Sequence, residues 1–237
     1  MMFKFLRFAV LMALPLISVS CEPSDSDDEG DGNKITDTEG NTYKTVTIGS
    51  QTWFAENLKT KHFRNGDEIP TLDHFPDGNY PVYQWPAGGD EANVELYGRL
   101  YTQAVLTDSR GVCPEGWHAP SDAEFIQMEK ELGLVYDQPQ SGQIGTNEGG
   151  KMKEAGTAHW KEPNTGATNE SGFTALPAGA YTMNSGAGGM GDYASFWTTT
   201  MGMGLNAWTH ELNKSFEKIY RYDSPITIGK SCRCVMD

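Results

Sequence analysis

The chain has 237 residues, with 32 acidic against 18 basic side chains and a formal net charge of -14. A surface this acidic repels phosphate backbones and excludes nucleic acid as a partner. With 27 glycines, six tryptophans and ten tyrosines, the composition describes a loop-rich fold whose core is made of rings and short strands rather than long helices.

The first twenty residues read as an export signal: Lys4 and Arg7, then an apolar run from Phe8 to Ile17 too short to cross a bilayer, then small Ser18 and Ser20. Cys21 follows, and its position resembles the lipobox of bacterial lipoproteins, in which that cysteine carries the lipid and begins the mature chain. The expectation is a protein anchored in the outer membrane through Cys21 and exposed at the cell surface. Residues 21–33 contain six acidic residues, none basic and nothing to bury, so they predict a disordered tether. Within it, Ser26-Asp27-Asp28-Glu29 resembles the acidic signal that sends some lipoproteins of the Bacteroidetes type to the outer face. Loss of Lys4 and Arg7 takes the net charge from -14 to -16, and leaving out the six tether carboxylates brings it to -10 for the rest. Residues 34–237 suit one domain, since no linker or fixed-period repeat divides them.

In YKTVTIGSQTWFAENL, Val46 and Ile48 alternate with polar residues, Gly49-Ser50 offers a two-residue turn and Trp53 lies on the return, which predicts a hairpin. Two acidic stretches follow, Asp73, His74, Asp77 and Asn79, then Asp90, Glu91, Asn93 and Glu95. Either supplies the oxygen ligands calcium favours, although neither has the order of an EF-hand. Between them NYPVYQWPAGG reads as a surface excursion whose Tyr80, Tyr83 and Trp85 would stack on sugar rings. Leu100 with Ala104, and Tyr101 with Val105, are four apart and predict a helix over 99–106. Cys113-Pro114-Glu115-Gly116-Trp117-His118 is a non-helical lead-in with Trp117 aimed at the core. It leads to Ser121-Asp122-Ala123-Glu124, a capping box that opens a helix presenting Phe125, Met128 and Leu132 and closing at Gly133.

The triplet Glu162-Pro163-Asn164 matches the one that mannose-type lectins use to grip calcium and sugar, but the strand motif that accompanies it there does not follow. GAGGMG (186–191) lacks the strand and helix of a phosphate loop and reads as a flexible loop. Four β-rich runs, ASFWTTT, LNAWTHEL, FEKIYRYD and KSCRCVMD, predict an antiparallel meander at the C-terminal end. The five histidines (His62, His74, His118, His159, His210) include no pair at metal-ligand spacing on a helix.

The blocks DTEGNTYKTVTIGSQTWFAENL, YGRLYTQAVL, GVCPEGWHAPSDAEF, NESGFTALPAGAY, FWTTT and SCRCVMD, in this order, resemble the Fibrobacter succinogenes major paralogous domain family from about Ile35 to Asp237. The resemblance implies a mixed α+β domain of C-type-lectin-like form, related to formylglycine-generating enzymes, with two helices, short twisted antiparallel strands and long loops. It implies no agreed activity. It also implies a disulfide between Cys113 and Cys234, while Cys232 stands where an apolar residue is usual and is a free thiol to be buried, exchanged or given to a soft metal. The cysteine pair of the formylglycine-generating relatives invites comparison with Cys232 and Cys234, but one intervening residue and the bridge to Cys113 set this chain apart. The reading from sequence is therefore a non-catalytic surface domain binding an extracellular glycan or protein. It needs no cofactor, with calcium the one candidate ion. The alternatives are a structural or adhesion component without a small-molecule site, and a thiol- or copper-dependent oxidase.

Overall fold

The computed structural model describes residues 1–2, 35–71, 84–135, 141–182 and 184–237. Cys21 and the tether lie outside the described residues, as do Asp73, His74, Asp77, Asn79, Tyr80 and Tyr83. The chain divides after Asp31, and the fold belongs to the unit Gly32–Asp237. No described helix is long and apolar enough to cross a membrane.

Strands dominate. In chain order come β1 (Ile35–Thr36), β2 (Thr42–Tyr43), β3 (Thr45–Ile48), β4 (Gln51–Phe54), β5 (Gln84–Pro86), α1 (Val94–Tyr97), β6 (Arg99–Tyr101) and α2 (Gln103–Thr107). The chain continues through β7 (Trp117–His118), α3 (Asp122–Glu131), β8 (Gly142–Ile144), α4 (Glu148–Met152), β9 (Ala180–Thr182), β10 (Gly186–Gly188), β11 (Tyr193–Met201), β12 (Asn206–Asn213), β13 (Ile219–Pro225) and β14 (Val235–Met236). The domain is mixed, as the composition implies, but the described residues hold four α-helices rather than two, of which only α3 exceeds five residues.

The expected hairpin forms from β3 and β4, with Val46 opposite Trp53 and Gly49 at φ +60° in the first turn position, where a side chain is disfavoured. The capping box of α3 is complete: the Glu124 amide donates to Ser121 Oγ at 3.3 Å and the Ser121 amide donates to Glu124 Oε2 at 2.7 Å. Phe125 and Met128 are buried beneath it, and Gly133 closes the helix at φ +112°.

Three expectations need correction. The helix over 99–106 is real only from Gln103. Arg99–Tyr101 is a strand, because it pairs with β5 and Tyr101 exchanges backbone hydrogen bonds with Lys230 at 2.8 and 2.9 Å, contacts that outweigh the local four-residue spacing. The C-terminal run does not join the meander. β11, β12 and β13 are consecutive antiparallel strands, but β8 takes the fourth place, and β14 instead lies between β4 and β7. Cys234 O accepts from Phe54 N, and Cys232 O from Leu58 N, each at 2.9 Å, so this segment is tied to the first hairpin and meets the backbone of the meander at a parallel bridge from Ser231 to Phe196. Gly186–Gly188 is paired with β9, so part of GAGGMG is a strand rather than a loop.

Two ring-filled cores result. One packs Tyr43, Phe54, Trp117 and Trp197 around the Cys113–Cys234 disulfide, whose Cα atoms are 5.9 Å apart across 121 residues of sequence. The other packs Trp53, Phe125, Phe173 and Phe196 between α3 and the sheets.

A buried ionic tetrad pins α3 to the meander. His210 Nδ1 lies 2.6 Å from Glu129 Oε1 and Nε2 lies 3.0 Å from Asp122 Oδ1, while Arg221 Nε and Nη2 each donate to Asp122 at 2.7 Å. Burial opposes a charge on His210, but the Glu129 carboxylate and the hydrogen bonds to Asp122 and Glu129 prevail and raise its pKa to about 9. Burial also pulls Asp122 upward, yet hydrogen bonds from His210 and Arg221 hold it down at about 2.

A second buried cation organises the loop over 154–172. The Lys153 ammonium donates to the carbonyls of Thr165, Asn213 and Phe216 at 2.8, 3.0 and 3.1 Å, and burial lowers its pKa to about 8. Asn164 Nδ2 ties the loop further by donating to the carbonyls of Glu154 and Gly156 at 3.0 and 2.6 Å.

Candidate functional site

Alternation along the meander puts two different surfaces on its faces. One carries Phe196, His210 and Arg221 in a row and belongs to the second core and the tetrad. The opposite face carries a straight cross-strand row of Ser195, Glu211, Tyr220 and Gln143, contributed by β11, β12, β13 and β8 in turn. Tyr222 lies two residues beyond Tyr220 on the same face, and Tyr193 two residues before Ser195.

Burial is graded across this row. Ser195 is fully buried, Glu211, Tyr193 and Tyr222 are half-buried, Gln143 is exposed, and Tyr220 is 37% exposed. The rings of Tyr220 and Tyr222 stand 4.8 Å apart at 32°, which makes a two-ring platform on a rigid sheet.

A polar relay lies under the platform. The Lys230 ammonium, buried beside the row, donates to Ser195 Oγ and to Tyr222 OH, both at 3.0 Å. Tyr222 OH then donates to Glu211 Oε2 at 2.8 Å. Lys230 also faces the Trp197 ring at 5.0 Å and the Tyr222 ring at 4.7 Å. Burial lowers the Lys230 pKa to about 8, burial raises that of Glu211, and burial with the Glu211 charge raises that of Tyr222. Three titratable groups with displaced proton affinities, joined through Ser195, are the kind of cluster that marks a binding or reaction site.

The residues singled out from sequence fall elsewhere. Trp85 is 3% exposed, and Tyr181 covers its face at 4.2 Å and 9°, so this ring is core and offers nothing for a ligand to stack on. The Asp90 carboxylate caps a short turn by accepting from Ala92 N at 3.0 Å. Glu91 takes a two-pronged contact from Arg99 at 2.6 and 3.0 Å, and those hydrogen bonds lower its pKa. Glu95 meets Lys59 at 3.0 Å, and Asn93 donates to Ala87 O at 3.0 Å. Each group in that acidic stretch thus serves a different protein partner. Asn164 is 5% exposed and turned into its loop, as described above.

The cysteines do come together. Cys113 and Cys234 are bonded, Cys232 is free and fully buried, and the three sulfurs lie within 4.8 Å of one another. Burial pushes the Cys232 thiol up to about 12, the reverse of the shift that activates a cysteine.

No tyrosine of the sheet face was singled out from sequence. The signal was the i, i+2 tyrosine pair in IYRYD, which shares a face by alternation. Its partners Glu211 and Gln143 are identifiable only once the register is known.

No curated protein and no solved structure matches the chain. The Fibrobacter succinogenes major domain matches residues 46–236, which is most of the chain and includes the sheet face, the tetrad and the disulfide. The protein belongs to the Fibrobacter succinogenes major domain family.

Proposed function

We propose that this is a cell-surface lipoprotein, anchored through Cys21, whose domain binds an extracellular glycan without catalysis on the face formed by Tyr193, Glu211, Tyr220, Tyr222 and Gln143. The observation that carries the reading is the pair of accessible tyrosine rings beside a half-buried carboxylate on one rigid sheet face. Rings of this kind cover the apolar faces of sugars, and carboxylate and amide groups take up the hydroxyls around them. The buried Cys232, whose thiol pKa burial pushes up to about 12, supports a binding role over an oxidase. The reading includes a C-type-lectin-like fold, supported by closure of the first sheet between an N-terminal hairpin and the C-terminal β14.

The test is a panel of plant, host and bacterial polysaccharides probed with the full-length protein. Saturable binding that falls at least tenfold in Tyr220→Ala, with the melting temperature preserved, supports the reading. A blank panel at high protein concentration sinks it and turns attention to protein partners of the same face.

A further inference from the structure

Resting on that reading, we infer that the sheet face selects uncharged, hydroxyl-rich polysaccharide and rejects acidic polymers. Within the four strands, Glu211 is the only charged side chain on the face. The one cation of the relay, Lys230, is 2% exposed and its ammonium is spent on Ser195 and Tyr222. It supports the site from below and presents no donor to a bound carboxylate or sulfate.

The basic residues at the edge do not change this balance. Lys214, just beyond β12, is paired with Asp192 at 2.9 Å. Lys218, just before β13, is exposed but stands next to the exposed Glu217. Residues 34–237 as a whole carry a net charge of -10, so an approaching polyanion meets repulsion at long range as well as at the face.

Glu211 is the selecting group. Its Oε2 takes the Tyr222 hydroxyl, and the carboxylate retains further acceptor capacity for donors from a ligand. A sugar hydroxyl supplies such a donor and a uronate or sulfate oxygen does not. Because the side chain is half-buried, the mismatch is poorly screened by water. Neutral polysaccharide instead gains ring contact with Tyr220 and Tyr222 and a charge-assisted hydrogen bond to Glu211.

The experiment compares the full-length protein on neutral polymers (a β-glucan, a xylan, a mannan) and on acidic ones (polygalacturonate, alginate, a sulfated glycan), at 20 mM and 500 mM salt. The expected result is binding to at least one neutral polymer that is insensitive to salt, with acidic polymers bound more weakly and gaining as salt screens the repulsion. Glu211→Gln should cost about fivefold on the neutral polymer, from loss of the charged acceptor, and should narrow the gap to acidic polymers. Lys218→Ala should leave the preference as it is. Tightest binding to an acidic polymer at low salt, falling as salt rises, would overturn the selectivity and leave the glycan reading standing. Absence of binding to every polymer would overturn both.

Discussion

Raising the pH from 6.5 to 8 is expected to weaken the fold by about 1.5 kcal/mol through His210. A histidine whose folded pKa stands above its unfolded value holds its proton more tightly in the native state. Its contribution is therefore complete below the ordinary value of 6.5 and is lost as the pH climbs through the folded value near 9. That interval corresponds to about 3 kcal/mol, roughly half of which is gone by pH 8. The Glu129 carboxyl, which burial pushes up, acts in the same direction. As the pH approaches 8 and beyond it the trend is opposed. Lys153 and Lys230 have folded values near 8 against an ordinary 10.5, so their release of protons favours the native state as the pH rises between those values. These terms begin below pH 8, so the tetrad is read from the difference between wild type and His210→Gln, in which they cancel. Urea unfolding followed by tryptophan fluorescence, with the disulfide intact, supplies the free energies at half-unit steps. His118 is also raised, by its hydrogen bonds to Glu124 and Asp237 against its partial burial, but it titrates equally in wild type and His210→Gln, so the difference between their slopes reports the tetrad alone. A His210→Gln stability that falls between pH 6.5 and 8 as steeply as that of the wild type would refute the reasoning.

Replacing both Cys113 and Cys234 by Ala opens a loop of 121 residues and should cost about 5 kcal/mol by the chain-entropy estimate, read as a fall in the urea midpoint. In the wild type, Cys232 should resist iodoacetamide until the protein is unfolded; labelling of the native protein at neutral pH would contradict its burial and raised pKa. Lys153→Met leaves three part-buried carbonyls without their donor and should destabilise by about 2 kcal/mol, with amide exchange accelerating over 154–172; unchanged exchange there would show that the ammonium does not hold the loop.

Local features were legible and remote ones were not. The β3–β4 hairpin follows from Gly49-Ser50 between alternating residues, and α3 from Ser121 and Glu124, because turn and cap energetics act within four residues. The Cys113–Cys234 bridge was available through family resemblance, not through any property of the spacing. Arg99–Tyr101 was misread because its strand partners, Gln84–Pro86 and Lys230, lie outside any local window. Trp85 was misread for the same reason: Tyr181 and Gly229, which cover it, are about a hundred residues away or more. β14 left the predicted meander because its partners Trp53, Trp117 and His118 precede it by more than a hundred residues. The tyrosine face escaped for a subtler reason. Alternation shows that Tyr220 and Tyr222 share a side, but only the register brings Glu211 and Gln143 beside them.

Lys153 also bears on how the domain meets its surroundings. A loop held by a free metal ion shares that ion with every competing ligand in the medium, so its shape follows supply. Here the positive charge among the carbonyls of Thr165, Asn213 and Phe216 is carried on the protein's own side chain. It can be neither diluted nor extracted by a chelating polyanion, and the loop over 154–172 keeps its form across media of very different hardness. Burial lowers the pKa of that ammonium to about 8, so loss of its proton above that value is accommodated by the native state, and neither calcium supply nor mild alkalinity is the variable to which this part of the fold answers.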